Sequence, residues 1–343
     1  MIHPRRLKGT PGNIARYYTV GDYYTKGSDE HSEWGGRIAV ELGLSGPVDP
    51  QTFQELLAGK IDDQQLGRHR ANGEIEHHPG WDFAVNAPKS VSIMALVMGD
   101  ERIIAAHEKA VGTALEYLEE HASLRRRDNG QIVHETTGRL IFARFTEHAS
   151  RELDPHLHTH VVVMNITNRE DGSSWASLET RAMFAEQMVA GQVYRNDLAH
   201  ELRQIGYEVE FDPRRGLFEI VGVPKDFIKD TSQRAGQIDA HAKEHGLTGQ
   251  AARRQSFYQT RGPKVTATLD EFHIQWAARA KPYEADLAKL TAQVEERGTS
   301  IIDVDRRTAG RASLFGLRQA ETREAVNNLG RMYGLALPAM SER

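Results

Sequence analysis

The chain has 343 residues, 39% of them hydrophobic and 27% charged, with 30 glycines and 12 prolines. A chain of this kind buries a core unaided, makes about two domains, or one large domain with an extension, on the usual size prior, and is neither a disordered segment nor a fibrous repeat. It contains no cysteine and carries a formal net charge of −5. That excludes disulfides, thiolate zinc clusters and a cysteine nucleophile, makes a reducing cytoplasm the expected compartment, and argues against coating nucleic acid through bulk charge.

No apolar run approaches the ~20 residues of a membrane span, so no membrane insertion is expected. Residues 1–35 are polar and broken by glycine, and they carry two tyrosine pairs, Tyr17-Tyr18 and Tyr23-Tyr24. Residues 81–85 alternate, Trp81, Phe83 and Val85 on one side and Asp82 and Ala84 on the other, which predicts a strand whose acidic residue points away from the aromatic face. Residues 91–98 predict a short buried helix, capped by Ser90 and ended by Gly99. Asp100 can cap a second helix, with Ile103, Ile104, His107, Val111, Ala114, Leu115 and Leu118 as its apolar stripe, running to about Ser123.

Asp128-Asn129-Gly130 is a turn signal, followed by expected strands at 131–134 and 140–145 and a third, apolar on both faces, at 158–167. Residues 181–205 predict a long helix ended by Gly206, and 207–211 with 217–221 a hairpin. From Pro224 onward the periodicity is helical and polar. The layout is therefore α+β, with a helical subdomain toward the C-terminal end. Basic clusters at Arg5-Arg6-Lys8, Arg125-Arg126-Arg127, Arg214-Arg215 and Arg253-Arg254 read first as solvated faces, with a local basic groove as the alternative.

In the run from His156 to Val163, a strand places His158 and His160 on one face about 7 Å apart. That geometry suits two ligands of one metal, which needs a third; His148 is the obvious candidate. Spacing alone makes the tyrosine pairs packing residues. Chemically, a phenol attacks phosphorus only if a base or a cation stabilises its phenolate, and a histidine-held metal could polarise the scissile phosphate.

Taken together, these residues resemble the MobF class of conjugative relaxases, the TrwC and TraI type, within the HUH endonuclease superfamily. The resemblance spans roughly residues 10–285. It rests on the tyrosines at 17, 18, 23 and 24, the stretch from Glu41 to Gly46, the segment from Ala87 to Ser92 behind Asp82, and above all the run from Ser150 to His160. It implies a central antiparallel sheet flanked by helices, the relaxase palm, with a C-terminal helical flap. The expected division is a catalytic core over 1–230, a DNA-clasping flap over 231–285 and a helical extension over 286–343.

What it implies chemically is a metal-dependent nicking enzyme that cuts one strand at a plasmid transfer origin and stays joined to the 5′ phosphate through tyrosine. Tyr17 would make the first cut and Tyr23 the later strand transfer, with Tyr18 and Tyr24 in support. Asp82 would act as base or as orienter of a ligand histidine, Arg151 would steady phosphate charge, and His158 and His160 would be two of three ligands of one divalent ion (Mg, Mn or Zn). Lys89, Arg254, Arg261 and Lys264 are the expected DNA contacts, the last three beside Arg253, Phe257, Tyr258 and Thr260 in the flap. The implied partners are a single-stranded origin hairpin, accessory relaxosome proteins and a type IV secretion coupling protein, and the chain is expected to be monomeric.

One departure concerns the third ligand. The family's histidine lies three residues before the serine of the Ser-Arg pair, a position held here by Glu147, whereas His148 lies two before it. Neighbours on a strand face opposite sides, so only one can face the metal without a bulge. His148 is favoured because three imidazoles fit the family's chemistry, Glu147 is a competent oxygen ligand, and His156 is a spare. Relaxases of this class commonly continue into a helicase, but no phosphate-cradling Gly-x-x-x-x-Gly-Lys-Ser/Thr loop occurs here, so no ATPase is visible and the extension is read as leading toward a helicase domain absent from this chain. The histidine run also resembles the histidine-triad nucleotide hydrolases, which would leave the tyrosines idle. A third reading is a non-catalytic protein that grips an origin hairpin.

Overall fold

The structure is a computed structural model and describes residues 2–19, 32–71, 73–169, 171–172, 174–212, 216–260 and 268–308. Its N-terminal part runs β1 (Ile2–Arg6), α1 (Pro11–Thr19), β2 (Ser32–Gly35), α2 (Arg37–Glu41) and α3 (Pro50–Leu57). Two small hairpins follow, β3 (Lys60–Ile61) with β4 (Gln64–Gln65) and β5 (Arg68–His69) with β6 (Ile75–Glu76). Next come β7 (Gly80–Asn86), α4 (Lys89–Leu96) and α5 (Glu101–Glu119), then the hairpin of β8 (Ser123–Asp128) and β9 (Gln131–Thr136). The chain returns through β10 (Phe142–Ala149) and β11 (Pro155–Met164), with short pieces β12 (Thr167–Asn168), β13 (Trp175–Ala176) and β14 (Leu178–Glu179) before α6 (Arg181–Ile205). A last hairpin, β15 (Val209–Asp212) and β16 (Leu217–Ile220), precedes α7 (Lys225–Asp230), α8 (Gln233–Glu244), α9 (Gly249–Gln259), α10 (Leu269–Ala280) and α11 (Glu284–Thr308).

The central sheet is antiparallel, in the order β1-β7-β11-β10-β2. Alternation assigns its two faces. Phe83, Val85, Leu157, Val161 and Val163 pack toward α4, α5 and α6 in one core cluster. Ala143, Phe145, Val162 and Met164 pack on the opposite face against Ile14, Ala15 and Tyr18 of α1 and Phe53, Leu56 and Leu57 of α3. The sheet is thus sandwiched between helices, the expected α+β arrangement. β7 can start where it does because Gly80, at φ 146°, lets its backbone touch β11; a Cβ there would come within 2.1 Å of the Val163 carbonyl oxygen.

Several expectations shift in detail. The long helix has the expected ends, with Gly206 left-handed at φ 110°. Asp100 caps α5 by accepting from the Arg102 N–H, but the helix stops at Glu119, because Ser123 is taken into pairing with Thr136. The short buried helix begins at Lys89, and Ser90 is not its cap. The Ser90 hydroxyl instead accepts from the Ile220 N–H at 2.7 Å, joining α4 to the last hairpin. The triple arginine lies in β8, an unexpected strand whose partner β9 follows the Asn129-Gly130 turn.

Two C-terminal helices close onto the turn between β10 and β11. Asp154, buried at its end, accepts from the Gln233 N–H and side-chain amide and from the Arg279 guanidinium, each at 2.9 Å. The Trp276 indole N–H donates to the Leu153 carbonyl at 2.7 Å. No helix among the described residues is long and apolar enough to cross a membrane.

Candidate functional site

The face of the sheet beneath α1 carries the chemistry. His158 pairs with Glu147 across β10 and with Asn86 across β7, while His160 pairs with Phe145 and Ala84. Directly paired residues share a face, so His158, His160 and Glu147 must point the same way. Asp82 of β7, opposite Val162 of β11 and Arg5 of β1, belongs to that face too. Against α3 the face is aromatic and aliphatic; beneath the Tyr17-Tyr18 end of α1 it turns to imidazole and carboxylate.

The histidine rings are held by their Nδ1 atoms. His160 Nδ1 lies 2.8 Å from Asp82 Oδ1, and His158 Nδ1 lies 2.9 Å from the His156 carbonyl oxygen. Both acceptors require the proton on Nδ1, which leaves the Nε2 lone pairs facing inward. There, His158 Nε2 is 3.4 Å from Glu147 Oε2 and His160 Nε2 is 4.0 Å from Glu147 Oε1. All three side chains are buried, and Glu147 Oε2 has no hydrogen-bond partner. Among the described residues they form a group whose ligand atoms all lie within 4.8 Å of one another. A buried carboxylate turned toward two imidazole lone pairs is costly unless a cation joins them, so these residues fit a divalent metal ion.

Asp82 is the hub behind the cluster. It pairs with His160 on one side and, at 2.9 Å, with the Arg5 guanidinium on the other. Burial works to raise its carboxyl, but His160 and Arg5 together hold it below the ordinary carboxylate range. Burial likewise works to lower His160, yet the Asp82 and Glu147 carboxylates carry it above its ordinary value. His156, stacked on His158 with ring centroids 4.6 Å apart, is bonded through Nε2 to Asn86 Oδ1 at 3.0 Å. Burial, with His158 alongside, pushes it well below the usual imidazole range, so it is a neutral wall of the site.

Tyr17 and Tyr18 end α1 above this face, their rings edge to face at 5.0 Å. Tyr18 is buried, stacked on Phe145 at 5.2 Å and edge-on to His160 at 5.8 Å. Burial first, and then the hydrogen-bonded Asp82 carboxylate, raises its phenol well above the usual value. Tyr17 is only partly buried. Tyr23 and Tyr24 lie outside the described residues, as do Arg261 and Lys264.

The structure thus brings together Tyr17, Tyr18, Asp82, His158 and His160 of the expected set. The favoured third residue, His148, is not in the cluster; Glu147 is. Glu147 shares the face of His158 by register, and the ladder shifts between Glu147 and Ala149, leaving His148 outside that pairing. Arg151 is partly buried in the turn before Asp154. Lys89, expected at a DNA surface, is turned inward, its ammonium donating to the Pro155 carbonyl at 2.7 Å, and burial lowers it to about 8. Arg254 is exposed on α9 with Phe257 and Tyr258, while Arg253 pairs with Asp239 of α8. In the sequence Arg5 stands out only as part of a basic cluster, since nothing local says that β1 will lie against Asp82.

An antiparallel sheet presenting alternating histidines beneath a tyrosine-bearing helix is the palm of a HUH-type nuclease. More narrowly, the chain belongs to the TrwC relaxase family, whose sequence profile matches residues 11–283. It is 35% identical over 304 residues to the multifunctional conjugation protein TraI of Escherichia coli K12, and 38% identical over 232 residues to a second E. coli TraI. These matches cover 83% and 65% of this chain but only 17% and 13% of those proteins. Among solved structures, the conjugative relaxase TrwC in a copper-bound complex with OriT DNA superposes with a TM-score of 0.74 at 36% identity, covering 82% of this chain and 98% of that one. TrwC bound to a 27-mer DNA comprising the recognition hairpin and the cleavage site gives 0.73 at 35% identity, covering 82% of this chain and 98% of that one.

Proposed function

We propose that this chain is the nicking domain of a conjugative relaxase, which cuts one strand of transfer-origin DNA and holds the new 5′ end on tyrosine. The observation that carries the proposal is the buried Glu147, His158 and His160 cluster lying next to the tyrosine pair of α1. In this reading those three residues hold one divalent ion, which when bound polarises the scissile phosphate. The Tyr17 oxygen attacks phosphorus, the bond to the 3′ oxygen breaks, and the phenol's proton ends on that oxygen through water. The product is a 5′-phosphotyrosyl link and a free 3′-OH, and the reverse step rejoins or transfers the strand. Asp82, already engaged by Arg5, His160 and Tyr18, orients His160 and is not the base for Tyr17. Arg151 steadies the phosphate, and Tyr23 takes the second transfer.

The DNA partner is a single strand with an origin hairpin, the kind of ligand named for the solved TrwC complexes. The flap over 231–285 offers it exposed Arg254, Phe257 and Tyr258, a basic and aromatic surface suited to phosphates and unstacked bases. Accessory relaxosome proteins and a type IV secretion coupling protein are the further partners, and a monomer in the bacterial cytoplasm is the working form. The test is incubation with single-stranded transfer-origin oligonucleotides and Mn²⁺, followed by denaturing electrophoresis and mass spectrometry of the linked peptide. We expect an adduct on the Tyr17 peptide that Tyr17→Phe eliminates. An adduct that survives in Tyr17→Phe would sink the assignment.

A further inference from the structure

We infer that Glu147 decides which ions this site accepts, biasing it toward oxygen-preferring divalent ions such as Mn²⁺ and Mg²⁺ and away from nitrogen-preferring ones such as Ni²⁺ and Cu²⁺. The inference rests on the metal reading given above and adds to it the chemistry of the third donor. Two neutral imidazoles alone would favour the later transition metals, for which nitrogen is the better ligand. The carboxylate changes both the donor atom and the charge. It presents a hard oxygen, and it makes the protein ligand set anionic, so a divalent ion would keep one net positive charge and not two.

The surroundings keep that charge directed at the ion. Glu147 is 7% exposed, and its Oε2 meets no donor in the protein. The Arg5 guanidinium pairs with Asp82, the carboxylate behind His160. Register fixes the choice of donor: Glu147 sits directly opposite His158, so its Oε2 lies 3.4 Å from His158 Nε2 and its Oε1 4.0 Å from His160 Nε2. No rearrangement of the strand is needed to bring it there. Hard ions that give up water reluctantly gain most from an anionic oxygen, while Ni²⁺ and Cu²⁺ gain more from a third nitrogen.

The test measures metal binding by calorimetry on the full chain without DNA, using Mn²⁺ and Ni²⁺ as the metals alone. Four proteins are compared: unaltered, Glu147→His, Glu147→Gln and His158→Ala. We expect Glu147→His to weaken Mn²⁺ by about 10-fold or more while Ni²⁺ is held or strengthened, so that the ratio of the two dissociation constants shifts by at least about 10-fold. Glu147→Gln, which keeps size and an oxygen but removes the charge, should weaken Mn²⁺ more than Ni²⁺, and it preserves the test if the histidine variant folds poorly. An unchanged ratio in both variants, with binding lost in His158→Ala, overturns the inference and leaves the metal site standing. Binding undiminished in His158→Ala overturns the metal site itself, and the inference with it.

Discussion

β11 presents two histidine environments on its two faces, and they are opposites. On the face toward α5 and α6, His107 is completely buried, with Nδ1 bonded to the Tyr194 hydroxyl at 2.7 Å and Nε2 to the Thr159 hydroxyl at 2.9 Å. Thr159 in turn meets Thr146 at 3.0 Å, so both imidazole nitrogens and the hydroxyls they meet are satisfied within the protein. On the other face, His158 and His160 flank Thr159 in sequence, yet their Nε2 atoms turn toward the Glu147 carboxylate, whose Oε2 has no hydrogen-bond partner. A polar cluster that satisfies itself holds a fold together. One that leaves lone pairs converging is built for something not yet present.

The largest expected effect tests the open cluster. His158→Ala should reduce affinity for Mn²⁺ by more than about 100-fold and abolish the DNA adduct, since it removes a ligand outright. Without metal, its unfolding free energy in urea should stay within about 1 kcal/mol of the unaltered protein, because the ring's hydrogen bond runs to the His156 carbonyl of its own strand. A metal-free loss as large as that of a core substitution would erase the contrast between the faces.

The closed cluster should behave in the reverse way. His107→Ala strands the Tyr194 and Thr159 hydroxyls and opens a cavity, so about 3 kcal/mol of stability should go, with metal affinity changed by less than about 3-fold. Its pH signature is also distinct. Burial, with smaller contributions from neighbouring positive groups, pushes His107 down to about 3, below the unfolded value near 6.5. The unfolded chain therefore binds a proton that the native state refuses, and stability is lost as pH falls from about 6.5 toward 3, by up to about 1.4 kcal/mol per unit. Above pH 6.5 the group contributes no slope. His77 and His78, each lowered to about 4 by burial, act in the same direction, so the diagnostic is the difference in slope between the unaltered protein and His107→Gln. Equal slopes would mean that His107 is not held neutral.

This contrast was only half legible in the sequence. Alternation put His158 and His160 on one face, and Asp82 opposite Trp81 and Phe83, because strand period is a local property. Helical spacing found α5 and placed His107 in its apolar stripe, without saying that the imidazole would be hydrogen-bonded at both ends. The choice between Glu147 and His148 depends on the register of β10 against β11, a long-range property that composition does not carry. For the same reason Arg5 could not be connected to Asp82, nor Lys89 to the Pro155 carbonyl. Helix α1 leaves no signal in the sequence because its nine residues, from Pro11 to Thr19, have little propensity of their own; packing of Ile14, Ala15 and Tyr18 on the sheet holds it.

The smallest expected effect separates the two tyrosines of α1, which meet the open cluster unequally. Tyr18 packs its ring on Phe145 and His160 and is hydrogen-bonded to Asp82, so replacing it with phenylalanine keeps the packing and removes one donor from a carboxylate that still has Arg5 and His160. Stability should therefore fall by about 1 kcal/mol. Because burial and Asp82 both oppose its ionisation, Tyr18 is a poor phenolate, and its loss should slow single-turnover adduct formation by no more than about 10-fold. Tyr17→Phe, one residue away, should stop it. If the pair reverses, with Tyr18→Phe inactive and Tyr17→Phe competent, then the buried tyrosine is the nucleophile. Asp82 would then be its base rather than the anchor of His160.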